Sequence, residues 1–193
     1  MTAPVRKLQK QDPESDEELI ARVSRGELEA LGKLFDRHER SIRAYVSRLG
    51  MPAGDSDDIA QGVFLEVVRS SARFDPQFSA RSWLFGIATM LVRRQRRSVL
   101  RQAARLTRWS REKPSEEVRS PEDCYRGDVA RARFEAAYRR LSAKKKEVFA
   151  LVVLEGLSGD QAAHTLGIPV GTVWTRLHHA RKELRGAVEE SSP

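Results

Sequence analysis

The sequence predicts an all-α protein of two small helical domains joined by a flexible linker, and three observations carry that expectation. Apolar residues recur at helical spacing in several windows, and no stretch alternates apolar and polar convincingly, as a half-buried strand would. Serines, glycines and prolines stand at the offsets where helices start and stop. Between residues 109 and 128 the periodicity lapses around Pro114 and Pro121 amid mixed charges, the composition of a linker. At 193 residues and 40% apolar content the chain can bury one modest core or two small ones, and the linker favours two.

The elements follow in order. Ser15 with Glu18 three residues later forms a capping box after Pro13, and Leu19, Ile20 and Val23 complete a short first helix before Gly26. A longer second helix carries Leu31, Phe35, Ile42, Val46 and Leu49, and Gly50 and Pro52 stop it. The third is expected to open at Asp55-Ser56-Asp57-Asp58, with acids at the positive end of the helix dipole, and to close at Ser70 and Ser71. Its apolar face is Ile59, Val63 and Val67, widened by Ala60, Phe64 and Val68. After a loop over 73–79, a fourth helix turns Trp83, Ile87 and Leu91 inward and then becomes basic. Helices over 129–141 and 143–154, a capping box at Ser158 with Gln161, and a helix over 170–187 make the second domain.

The composition excludes several functions. The longest apolar run, Trp83 to Val92, is half the length a membrane span needs and leads into arginines, and the N-terminus lacks the apolar segment of a signal peptide. A cytoplasmic location is expected. The single cysteine, Cys124, can form no internal disulfide or cysteine-based metal site. The histidines, His38, His164, His178 and His179, match no metal spacing, and there is no glycine-rich phosphate loop, nucleophile or acidic cluster for catalysis. A non-enzymatic chain without metal or cofactor is therefore expected.

Charge points to a polyanion. The net charge is +8, and between Arg93 and Arg111 there are eight arginines and no acid. Arg93, Arg97, Arg101 and Arg105 fall four apart and Arg108 three later, so a continued helix would carry them as one basic rail for DNA.

The most specific pattern runs from Ser158 to Arg185 and has the layout of a helix-turn-helix. Ala162, Ala163 and Leu166 precede a turn at Gly167-Ile168-Pro169, and Val173, Leu177, Ala180 and Leu184 follow on the second helix. Thr172, Trp174, Thr175, Arg176, His178, His179, Arg181 and Lys182 are left off the buried stripe, where they can reach bases or phosphates. An ordinary helical hairpin with a solvated charged face would explain the stripe but not the turn chemistry with a basic exposed side. A stand-alone repressor or activator would explain this half but not the half upstream.

At this point the residues resemble a known family. The run from Leu141 to Arg185, with LEGLS, LGIP-GTV and RL-ARKEL in register, is similar to region 4 of the extracytoplasmic-function sigma factors. ALGKLFDRHERSIRAYVSRL, DSDDIAQGVFLEV, RFDP and SWLFGIATMLVRRQRR resemble region 2 of that family in order and spacing. The resemblance implies a flexible N-terminus over 1–15, region 2 over 16–108, the linker over 109–128, region 4 over 129–187 and a tail over 188–193. It implies an alternative sigma factor, with RNA polymerase core and promoter DNA as partners and, as in many relatives, an anti-sigma protein.

The same resemblance distributes roles. Asp57, Asp58 and Gln61 would dock on a basic coiled coil of the polymerase's largest subunit, and region 4 would lie near the flap. Phe74, Phe78, Arg93, Arg94, Arg96, Arg97 and Arg101 would hold the nontemplate strand of the minus-ten element, the aromatics stacking on bases and the arginines following phosphates. Trp83 is expected in the core instead. Thr172, Trp174, Thr175, Arg176, His179, Arg181 and Lys182 would meet the minus-thirty-five element. Gly62, Met90 and Arg94 stand where the family usually has an acid, an asparagine and an aspartate.

Overall fold

The computed structural model describes residues 14–106 and 126–189, and within them every regular element is a helix. The expected linker core, Cys124, Arg108 and both extreme termini lie outside the described residues, as does the side chain of Arg105. Helix α1 spans Asp16–Val23, α2 Leu28–Arg48, α3 Ala53–Ser70 and α4 Ala80–Leu106. The second half holds α5 Arg126–Arg140, α6 Ala143–Phe149 with a π-helical turn over Ala150–Leu154, α7 Gly159–Leu166 and α8 Val170–Glu189.

Local chemistry sets most boundaries. Ser15 accepts from the Glu18 amide at 3.2 Å while the Glu18 carboxylate accepts from the Ser15 amide at 2.9 Å, the reciprocal pair that the sequence spells. Gly50 ends α2 at φ +88° and Gly167 ends α7 at φ +64°, left-handed positions that a Cβ disfavours. Helix α3 departs from expectation. It starts at Ala53 behind Pro52 and has no side-chain cap, so the aspartates do not open it. Ser56 is instead buried in its first turn and donates to the Pro52 carbonyl at 2.9 Å.

In the first half α2, α3 and α4 pack around Leu34, Ile42, Tyr45, Val46, Val63, Val67, Leu84, Phe85, Ala88 and Val92, and α1 closes one side with Leu19 and Ile20. Of the residues expected on the buried face of α2, Leu31 is only half-buried and Phe35 lies at the rim against Phe64, because Ala30 and Leu34 take the inward positions. Val68 is likewise exposed. In the second half Leu151, Ala162, Leu166, Val173, Leu177, Ala180 and Leu184 fill the corner between α6, α7 and α8. The buried apolar side chains form one cluster through both halves, because α7 packs on α4. The two cores expected from the sequence are thus joined.

Candidate nucleic-acid interface

Helix α8 stands against α7 with Val173, Leu177, Ala180 and Leu184 buried beneath it. That arrangement leaves Trp174, Thr175, His179, Arg181 and Lys182 exposed on the outer face and Thr172 and Arg176 half-buried at its edge. The turn between the helices is held by the Gly167 and Ile168 amides, which donate to carbonyls of α7, while at the other end of α7 the Ser158 hydroxyl accepts from the Gln161 amide at 3.1 Å. All seven residues expected to face DNA therefore share one element and one side. Two are already engaged. The Thr175 hydroxyl donates to the Gly171 carbonyl at 2.9 Å, and the Trp174 indole lies across Gly159 at the start of α7. His178 and His179 sit edge to face at 5.7 Å, and no group of three potential metal ligands occurs among the described residues.

The second surface follows α4. The helix is continuous to Leu106, which puts Arg93, Arg97 and Arg101 along one side, as their spacing requires. Arg94, Arg97 and Arg101 are exposed. Arg96 is not a free phosphate contact: it reaches back to the Leu49 carbonyl, satisfying an acceptor at the end of α2. Its Nη1 is buried and unpartnered. Phe74 also differs from expectation, since it is half-buried with its ring centroid 5.1 Å from that of Trp83, the two packing on the core. Trp83 is half-buried there, in keeping with its expected place. Phe78 is the aromatic left on the loop, and its ring stacks on His164 of α7 at 3.5 Å and 8°.

Arg93 is engaged as well. Its guanidinium donates twice to the Glu147 carboxylate of α6, Nε at 3.0 Å and Nη2 at 2.7 Å. Those bonds to Glu147 raise its pKa above the ordinary arginine value. Glu155 similarly receives Arg81 at 2.9 Å and Arg48. Neither acid was singled out in the sequence, where each reads as one more helix charge. The only signal was placement, since Glu147 directly precedes the apolar run Val148 to Leu154.

The third surface lies on α3, where Asp57, Asp58 and Gln61 are exposed on one side of the helix. Asp57 is 3.1 Å from Arg43 of α2 in an open, solvated pair. Gly62 lies beneath them, and a Cβ there would meet Leu91 of α4 at 3.4 Å.

Comparison with known proteins matches two regions of the chain. The family model for Sigma-70 region 2 matches residues 34–106, and that for Sigma-70, region 4, matches residues 131–184. The chain is 30% identical to the ECF RNA polymerase sigma factor SigC of Mycobacterium tuberculosis over 92% of its own length and 94% of the relative. It is 29% identical to the RNA polymerase sigma factor NccH of Alcaligenes xylosoxydans xylosoxydans, covering 93% of this chain and 98% of that one. Among solved structures, CnrH in complex with the cytosolic domain of CnrY superposes with a TM-score of 0.67 at 28% identity, covering 92% of this chain and 99% of the other. CnrH is a sigma factor of Cupriavidus metallidurans. Both sigma regions are thus matched in order on one helical chain, the reported relatives cover more than nine-tenths of it, and the chain belongs to the ECF family of RNA polymerase sigma factors, which direct promoter-specific transcription initiation.

Proposed function

We propose that the three surfaces divide the work of a sigma factor. Asp57, Asp58 and Gln61 of α3 dock on a basic coiled coil of the largest polymerase subunit, while residues 129–187 lie by the flap. Arg93, Arg94, Arg97 and Arg101, with Phe78 on the preceding loop, follow and stack on the unpaired minus-ten strand. The outer face of α8 enters the major groove of the minus-thirty-five element, where Arg176 has the chemistry to bond a guanine edge in two places and Arg181 and Lys182 serve phosphates. The protein acts without catalysis of its own, in the cytoplasm, as residues 16–108 and 129–187 joined by the segment 109–128. That CnrH is seen in complex with the cytosolic domain of CnrY supports a protein partner for this chain too, which we read as an anti-sigma factor.

The observation that carries this reading is the placement of six polar residues and Trp174 on α8 opposite a buried stripe, on a chain whose other half presents an acidic α3 and a basic α4. A stand-alone repressor needs only the first of these. The test is transcription by purified core polymerase with and without the chain. Adding it is expected to give initiation from a defined set of start sites, and Asp57→Lys with Asp58→Lys is expected to weaken core association about tenfold, equivalent to about 1.4 kcal/mol. Initiation that does not depend on the chain removes the reading, and unchanged association removes the docking role of α3.

A further inference from the structure

Where α2 ends, α5 and α6 come up against it, and the three helices border a cavity of about 850 Å³ that belongs to none of the three surfaces described above. Its chemistry is divided. One side is basic: Lys146 of α6, Arg139 of α5 and Arg48 of α2 line it, and Arg96 of α4 stands behind Gly50. A Cβ on Gly50 would lie 3.7 Å from Lys146 Nζ and 4.0 Å from Arg96 Nη2, so the missing side chain leaves a recess beside both charges. The other side is apolar. Phe134 and Tyr138 stand one turn apart on α5 with ring centroids 6.1 Å apart and planes 19° from parallel, and Met51, Pro52 and Leu154 complete the wall.

The cations are there in part because two helices end there. Lys146 donates to the Arg139 carbonyl at 2.6 Å, near the C-terminus of α5, and Arg96 donates to the Leu49 carbonyl at the end of α2, as positive groups do at the negative ends of helix dipoles. Each bond uses one donor of several. Arg96 Nη1 and the Tyr138 hydroxyl are buried without a partner. Arg48 is paired with Glu155, and Glu135, the acid among the lining residues, pairs with Arg131 at 3.1 Å. Lys146, Arg96 and Arg139 have no acid in ion-pair reach among the described residues. Burial and the Arg96 charge together lower the pKa of Lys146, as happens to cations crowded without a counter-ion. Helix capping thus explains why positive groups stand here, but it leaves surplus charge and two unspent polar groups beside an open cavity.

We propose that this cavity binds a purine nucleoside polyphosphate, its phosphates held by Lys146, Arg139 and the charge of Arg96 and its base laid on the wall of Phe134 and Tyr138. A bare inorganic ion would occupy only the recess at Gly50, whereas the whole volume falls in the range of roughly 300–1,000 Å³ typical of small-molecule sites. Phosphate oxygens match convergent ammonium and guanidinium donors, and a fused two-ring base suits a wall made of two aromatic rings. The Tyr138 hydroxyl gains a base or sugar edge to bond. An occupied site stabilises the full chain by mass action, since α2 comes from one half and α5 and α6 from the other.

The test is calorimetric titration of the full chain with ATP, GTP, inorganic pyrophosphate and adenosine, in magnesium-free buffer at physiological salt. At least one of the two nucleotides is expected to bind at one site per chain, at least tenfold more tightly than pyrophosphate or adenosine, and to raise the melting temperature. Lys146→Gln should weaken that nucleotide at least fivefold, and Phe134→Leu should weaken it while leaving pyrophosphate unchanged. Arg139→Gln, a change at an exposed position, should also weaken it and covers the case in which Lys146→Gln folds poorly by circular dichroism. Arg97→Ala with Arg101→Ala should leave nucleotide affinity within twofold, which separates the cavity from general attraction to the arginines of α4. Pyrophosphate binding as tightly as either nucleotide overturns the assignment of the base to the aromatic wall. Absence of nucleotide binding, or binding lost in the α4 pair but kept in folded Lys146→Gln and Arg139→Gln, overturns the site.

Discussion

Trp174 stands on the outer half of α8, where its neighbours face solvent, yet its indole is spent on the corner of the motif. A Cβ on Gly159 would sit 2.4 Å from Trp174 Cζ2, a distance no packed pair of atoms adopts. Gly159→Ala is therefore expected to push the indole off α7 and destabilise the second half by about 1–3 kcal/mol, read from denaturant unfolding. A variant as stable as the parent means the ring moves freely and braces nothing. The sequence placed Trp174 off the buried stripe but could not show where a ring of that size would lie. Arg96 and Arg93 teach the same lesson: both are legible as basic, whereas their partners, the Leu49 carbonyl and Glu147, are separated from them by 47 and 54 residues and only the fold brings them together.

Most helices were legible because their signals are local. The capping boxes at Ser15 and Ser158 each lie within four residues, and both form as spelled. Ser158→Ala removes the acceptor for the Gln161 amide and is expected to cost about 1 kcal/mol, measured as a lowered midpoint of thermal or denaturant unfolding. No change would mean that water or another group caps α7 equally well. Helix α3 was misplaced at its start because four polar residues in a row look like a cap, whereas Pro52 with its fixed φ begins the helix earlier and lets Ser56 turn inward. The spacing of four said only that a continued helix would align Arg93, Arg97 and Arg101, and α4 does continue through them to Leu106.

At the scale of the whole molecule, α1 is fastened to the rest by charge, and that makes stability depend on acid. Asp16 is partly buried, which by itself would raise its pKa, but hydrogen bonds from Arg37 and His38 outweigh this and hold it below the ordinary 3.8. Glu14 and Glu27 are held below 4.5, each chiefly by its hydrogen bond to Arg22. Groups with lowered folded pKa values bind protons less readily than in the unfolded chain, so their contribution is complete above about 4.5 and is lost as pH falls through the folded values. The melting temperature is expected to hold from about pH 7 to about pH 5 and then drop, with a shallower drop in Asp16→Asn. An identical acid slope in that variant would show that Asp16 is not among the responsible groups. None of this was visible in the sequence, nor was the joining of the two cores, since both depend on long-range pairings that no local pattern encodes.

The stack of Phe78 on His164 has a consequence for how the molecule can be watched. With ring centroids 3.5 Å apart and planes within 8° of parallel, each ring sits in the magnetic shadow of the other. The imidazole protons of His164 are shielded by the phenyl ring current as long as the two halves touch, and they lose that shielding when the halves separate. The native chain thus carries in one histidine resonance a label-free record of whether the loop before α4 is covered.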